Sequence, residues 1–292
     1  MLVLTIGGLG ALAAPAGAHD EHGARQSVRV TLLGAGSTAQ VSSHEVHPGV
    51  VRFTFTGSTT TGASATVVSL HHGVTLAHFL ADLTTAASQS AKPAAVIAAI
   101  KDLDLIAVAY GGGDTLPGQS VTDAITLPRE GTYYVVNTPS AGAVNLATIE
   151  AEGSTVTAGN PAFSATVTLG DETKDVITTS GELPRHGTIR VTNDGTVIHL
   201  LQMTRVADGV TDPQVQAEYD LIVHGGTPTS DPAGLMGPPT ALVGTDAISP
   251  ERSARLTYSV PKGTYLLQCF VPDDMTGLPH AFMGMHLIVV ID

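Results

Sequence analysis

Cys269 is the one cysteine in a chain of 292 residues, so it has no intrachain disulfide partner. A thiol left over in this way either fills space as a small hydrophobe or binds a metal. Its surroundings supply partners for the second role. The C-terminal stretch runs Gly263-Thr-Tyr265-Leu-Leu-Gln268-Cys269-Phe-Val-Pro-Asp-Asp-Met275-Thr-Gly-Leu-Pro-His280-Ala-Phe-Met283-Gly-Met285-His286. A strand delivers Cys269, a Pro- and Gly-bearing loop delivers His280 and Met285, and a further strand leaves. Alternation along the first strand puts Tyr265, Leu267 and Cys269 on one face, with Leu266, Gln268 and Phe270 on the other. Thiolate, imidazole and thioether on one loop form a soft donor set. The sulfurs favour copper(I), imidazole and thiolate favour copper(II), and magnesium or calcium would prefer oxygen. A second imidazole has to come from elsewhere. Thr192-Asn193-Asp194-Gly195-Thr196-Val197-Ile198-His199 offers one on a different strand, after a turn.

The elements that must position these residues repeat. Residues 131–134 read Gly-Thr-Tyr-Tyr and residues 263–266 read Gly-Thr-Tyr-Leu, each after a strand and a Pro-containing turn. Upstream, Gly73-Val74-Thr75 and Gly209-Val210-Thr211 each lead into a longer insertion. Short strands are expected at 28–34, 50–57, 65–72, 132–137, 164–170, 188–195, 197–203, 253–260, 264–271 and 286–291, where β-branched and aromatic residues alternate between turn residues. Helical spacing is confined to the insertions, at Leu76 to Leu83, Ala94 to Leu105 and, more weakly, 212–224. The pattern predicts an all-β chain of two tandem Greek-key β-sandwiches with short helical insertions. One spans 27–153 and the other 162–292, with the boundary in the Gly/Thr/Ala/Pro stretch 152–162.

The second of these units resembles the cupredoxin family, with its early His and late Cys-His-Met loop. The ending His280-x4-Met285 looks like that of plastocyanins and of the blue-copper domain of nitrite reductases, and Asn193-x-Gly195 resembles the segment that carries the family's first ligand. The resemblance implies one type 1 copper ion, with His199, Cys269 and His280 as equatorial ligands and Met285 as the weak axial one; Met283 is the alternative axial residue. Two features depart from the family pattern. Ten residues separate Cys269 from His280, more than usual, and Leu200 stands where plastocyanin-like proteins often carry Asn. The first unit resembles a cupredoxin repeat without ligands: Asn137 stands where Cys269 would, and no Cys, His or Met follows it at 138–144. Copper oxidases and nitrite reductases link the blue site to a second centre through histidines beside the Cys. The neighbours here are Gln268 and Phe270, so a non-enzymatic chain is expected. Electron transfer leads the resulting expectations, with a redox or copper-exchange protein as partner. Copper sequestration or delivery, and a binding module that has lost its metal, are the alternatives.

Charge narrows the partners. The 13 Lys and Arg stand against 26 Asp and Glu, a formal net charge of −13, and no basic cluster occurs. Such a surface repels phosphate backbones, so nucleic acid is excluded as a partner. The first 18 residues form a short apolar run ending Ala16-Gly17-Ala18, the small-x-small pattern of a cleaved signal peptide, which predicts an exported protein. That run is marginal for spanning a bilayer core of about 30 Å, and no later segment is long and apolar enough. Cleavage after Ala18 would make His19 a new N-terminus, where His19-Asp-Glu-His22 is read as a mobile tail. His44, His47, His78, His186 and His224 read as loop or surface residues. His286 should face away from Met285. Gly111-Gly-Gly-Asp114 lacks the Lys and helix that a phosphate loop requires.

Overall fold

A computed structural model describes residues 26–32, 39–57, 62–88, 90–137, 144–157, 159–170, 174–226 and 240–292. The expected signal peptide and the His19–His22 motif lie outside the described residues. In the first half the strands are β1 (Gln26–Leu32), β2 (Gln40–Val41), β3 (Glu45–Val46), β4 (Gly49–Gly57), β5 (Ala63–Leu70), β6 (Ala107–Thr115), β7 (Ser120–Leu127), β8 (Gly131–Asn137) and β9 (Asn145–Ala151). In the second they are β10 (Ala165–Leu169), β11 (Ile177–Ser180), β12 (His186–Asn193), β13 (His199–Arg205), β14 (Leu242–Ile248), β15 (Ser253–Ser259), β16 (Gly263–Gln268) and β17 (His286–Ile291). Helices α1 (Leu76–Ala86) and α2 (Pro93–Ile106) lie between β5 and β6, and α3 (Asp212–Val223) lies between β13 and β14.

These strands build two facing sheets, ordered β11-β10-β12-β15-β7-β4-β1-β2 and β17-β16-β13-β14-β6-β5-β8-β9-β3. Apart from β3, which has no counterpart among the described residues, the second half repeats the strand order of the first about the centre of each sheet. Parallel β1–β4 is matched by parallel β10–β12, and antiparallel β5–β8 by antiparallel β13–β16. The chain crosses from sheet to sheet after β4 and returns after β6, and does the same after β12 and β14. The architecture is two cupredoxin-like Greek-key sandwiches. At the centre, β7 pairs with β15 and β6 with β14, so both sheets run unbroken through the two halves.

Period-two patterning explains the sheets. On β4, Val51, Phe53 and Phe55 are fully buried while the residues between them are partly exposed. With Val167, Leu169, Leu256, Tyr133 and Tyr265 they belong to one core held between the sheets. Each Gly-Thr-Tyr strand is pinned by its tyrosine: Tyr133 donates to Arg129 O at 2.9 Å and Tyr265 to Pro261 O at 2.7 Å. The two Gly-Val-Thr connections also do the same job. Thr75 is the N-cap of α1 and accepts from His78 N–H, and Thr211 is the N-cap of α3, its own N–H donating to the Gln214 side chain.

The expected strands appear with ends shifted by at most three residues, and residues 33–34 of the first lie outside the described residues. None of the expected ranges covers β2, β3, β6, β7, β9, β11 or β14, and for the central pair β6 and β14 the reason is physical. Both are covered on two faces, so their burial does not alternate, and both carry glycine. A Cβ at Gly112 would lie 1.8 Å from Ala65 O, which is why the Gly111-Gly-Gly run belongs in a strand and not in a phosphate loop. Where the halves meet, the buried Asp123 carboxylate accepts from Thr245 Oγ1 at 2.7 Å and from Gly112 N–H at 3.2 Å. Burial pushes its pKa up to about 7.

Candidate metal centre

Cys269 emerges from β16 into a loop that returns on itself. Ala281 N–H donates to Cys269 O at 2.7 Å, His280 N–H to Val271 O at 3.0 Å, and Met285 N–H to His280 O at 3.0 Å. The intervening residues close as a small unit around Asp273. Its Oδ1 accepts from the Met275 and Thr276 N–H groups and from the Thr276 hydroxyl, and its N–H donates to Leu278 O. The ten residues between Cys269 and His280 therefore form a closed excursion that sets His280 back beside the thiol. A 3-10 turn, His280–Met283, ends at Gly284 in the left-handed region (φ 104°), and the chain re-enters the sheet through Met285.

His199 arrives from the opposite side of the site. Asn193 shapes its approach: Oδ1 accepts from Gly195 N–H at 2.9 Å, and Nδ2 donates to Val197 O and Ile248 O. The imidazole then lies against backbone. A Cβ at Gly195 would fall 2.8 Å from His199 Nε2, and one at Gly170 would fall 2.9 Å away. Helix α2 of the first half also holds this strand, since Asp104 Oδ1 accepts from Ile198 N–H at 3.2 Å. Burial raises Asp104 to a pKa of about 6.

The three side chains converge. His199 Nδ1 lies 3.8 Å and His280 Nδ1 3.6 Å from Cys269 Sγ, and the two Nδ1 atoms are 3.2 Å apart. All three residues are buried, at 0%, 1% and 0% exposure for His199, His280 and Cys269. Metal–nitrogen and metal–sulfur bonds of about 2.0 and 2.3 Å let donors of one ion stand no more than roughly 4.3 Å apart, and all three separations meet that limit. Burial pushes the Cys269 thiol up to about 12, against the N–H of Leu200, which donates to Sγ at 3.4 Å. His280 is shifted down by burial and then by His199, which keeps its ring neutral with a lone pair to offer. The arrangement buries two imidazoles and a thiol whose main polar contacts are with one another. The donor set suits a soft or borderline cation.

The remaining sulfurs separate. Met285 is fully buried beside the site, and its carbonyl accepts from Cys269 N–H at 3.3 Å. Met283 is half exposed and its sulfur accepts from the Thr276 hydroxyl. Leu200 braces Sγ through its backbone N–H, so the side chain at this position is not needed for that contact.

Carboxylates surround the outer edge of the site. Asp175 Oδ1 lies 3.4 Å from His199 Nε2 and Oδ2 lies 3.8 Å from His280 Nε2, while Asp273 Oδ2 stands 4.0 Å from the latter. Even so, neither buried Nε2 has a hydrogen-bond partner among the described residues. Asp104, Asp175 and Asp273 were not anticipated. No sequence signal marked Asp104 or Asp175; the Pro-Asp-Asp of the loop marked a turn.

The other histidines are dispersed. His44 and His47 bond the Thr148 and Glu152 carbonyls, and His186 bonds Ser259 Oγ, all on the surface. His286 is buried against α3, with Asp212 and Gln216 at 3.2 and 3.0 Å. His78 is a surface residue of α1, where Nε2 bridges Asp82 and Asp102.

No family model and no curated protein sequence matches this chain. Among solved structures it is similar to auracyanin B, at 21% identity over 46% of this chain and 91% of that one, with a TM-score of 0.28. A dithionite-reduced auracyanin from the photosynthetic bacterium Roseiflexus castenholzii follows at 16% identity over 44% and 94%, TM-score 0.27. A copper nitrite reductase from Nitrosomonas europaea matches at 10% identity over 91% and 93%, TM-score 0.23.

Proposed function

We propose that the chain is an exported cupredoxin-like protein holding one copper ion, through His199, Cys269 and His280 with Met285 as axial ligand, and that it transfers single electrons. The observation that carries this reading is the convergence of two Nδ1 atoms and one thiol sulfur inside a water-excluded pocket. Copper would supply a one-electron couple there. The protein's own share is positional. Gly170 and Gly195 admit the His199 ring, the Asp273-bonded loop fixes His280, and Leu200 N–H directs a hydrogen bond at the sulfur. Three ligands that are essentially inaccessible to water suit an ion that stays in place, which favours electron transfer over rapid copper delivery. The partner is proposed to be a redox or copper-exchange protein. Residues 27–153 and 162–292 are proposed as the two units, the first acting as scaffold through Asp104. Among the described residues no helix is long and apolar enough to cross a membrane.

Titration of the purified protein with copper(II) tests this. One equivalent should bind and produce an intense thiolate-to-copper absorption in the visible, bleached by a mild reductant and restored by oxidation. A protein with its thiol intact that stays colourless and binds no copper would overturn the copper reading. Turnover of dioxygen or nitrite by the copper-loaded chain would overturn the non-enzymatic part alone.

A further inference from the structure

A cavity of about 570 Å³ lies between the helical insertion of the first half and the metal-site loop of the second. Its helix wall is Phe79, Leu83, Val96 and Ile100; Leu200 and Phe270 face them. The loop is held close to this wall: a Cβ at Gly277 would lie 3.5 Å from Ile97. The volume falls within the roughly 300–1,000 Å³ of small-molecule sites, and an apolar lining with few polar groups is the usual character of such sites. It is too small for a docked helix or strand.

One ionisable group lines it. Asp246 is buried, with Oδ1 accepting from Ala247 N–H at 2.8 Å, Oδ2 from Ser64 Oγ at 3.0 Å, and the Thr66 side chain as a third donor to the carboxylate. A carboxylate offers about four acceptor positions, so Asp246 retains capacity for a further donor. Burial raises its pKa, which disfavours full charge and hence a cationic ligand.

We propose that this cavity binds a neutral apolar small molecule bearing one donor hydroxyl, of the alkylphenol class, with the apolar body against α1 and α2 and the hydroxyl donating to Asp246. The site is independent of the copper reading, because none of its walls is a ligand. It nevertheless touches the centre, since Leu200 and Phe270 flank His199 and Cys269 in sequence.

Isothermal titration of the full chain, with and without copper, with para-pentylphenol as probe should give saturable binding of one molecule. Pentylbenzene, which lacks the hydroxyl, should bind about tenfold more weakly, the size of one hydrogen bond to a carboxylate. Val96→Trp and, separately, Ile100→Phe fill the space from the helix side and should abolish binding while circular dichroism remains unchanged. Absence of saturable binding overturns the proposal. So does binding that survives in a folded variant of either kind, or equal affinity for the two probes. In copper-loaded protein the probe should also shift the visible band. Loss of colour with binding intact would count against the copper reading and leave the cavity assignment standing.

Discussion

Asn137 and Cys269 occupy matching places, each directly after the Val or Gln that pairs with the neighbouring strand: Val136 with Thr66 on β5, Gln268 with Gln202 on β13. They also reach for matching partners with opposite polarity. Asn137 Nδ2 donates to Ser64 O, whereas Cys269 Sγ accepts from the N–H of Leu200, the position that corresponds to Ser64. The first half satisfies this buried corner with an ordinary amide. The second places an acceptor there, an imidazole where the first half has Ala63, and a longer excursion, 269–285 against 138–144, that brings back a second imidazole. The shared scaffold thus does not require the sulfur or the rings, and their presence together in one half is what speaks for chemistry.

The most direct way to break this contrast is to exchange the corner residues. Cys269→Ala should abolish the visible band and reduce copper affinity by at least a hundredfold, comparable with losing a first ligand's support and more. Adding Asn137→Cys to that variant should restore neither, because Ala63 stands where the second half has His199 and 138–144 contain no His; recovery of colour would show that the halves are chemically interchangeable. Gly195→Ala comes next. Its methyl group would press on His199 Nε2, and copper affinity should fall by about 10–100-fold with the fold intact, as seen by unchanged far-UV circular dichroism. Asp175→Asn should weaken affinity by up to about tenfold and raise the reduction potential, since a negative charge facing both outer nitrogens favours the more positive ion; an unchanged potential would remove Asp175 from the site.

The smallest effect concerns the seam. Asp123 carries a folded pKa of about 7 against an ordinary 3.8, so the folded state holds its proton more tightly. Its contribution is full below the unfolded value and fades as pH rises through about 7. Metal-free protein should therefore lose Tm between about pH 5 and pH 8 more steeply than Asp123→Asn. Parallel Tm curves for the two proteins would contradict that assignment.

How much could be read from residues alone follows physical lines. Cys269, His280 and His199 stood out because their types are rare and share one chemistry, and strands such as β4 stood out because one face is wet. The repeated Gly-Val-Thr and Gly-Thr-Tyr segments marked matching connections and strands, but their roles as helix caps and tyrosine anchors show only in the hydrogen bonds. Strands β6 and β14 were hidden because burial on both sides erases alternation. Asp104 and Asp175 were hidden because an acidic residue beside a distant N–H or imidazole looks like any solvated carboxylate until the chain folds. The spacing from Cys269 to His280 could be counted, but only the Asp273 hydrogen bonds show why it is tolerated.

The continuity of both sheets has a consequence for how the chain comes apart. Separated at 152–162, each half would carry two raw strand edges, β6 and β7 or β14 and β15, with unpaired backbone groups ready to template association. The halves meet much as two subunits related by a twofold axis would, joined through one polypeptide. Melting should accordingly be a single cooperative event, and a severed half should seek a second copy of itself.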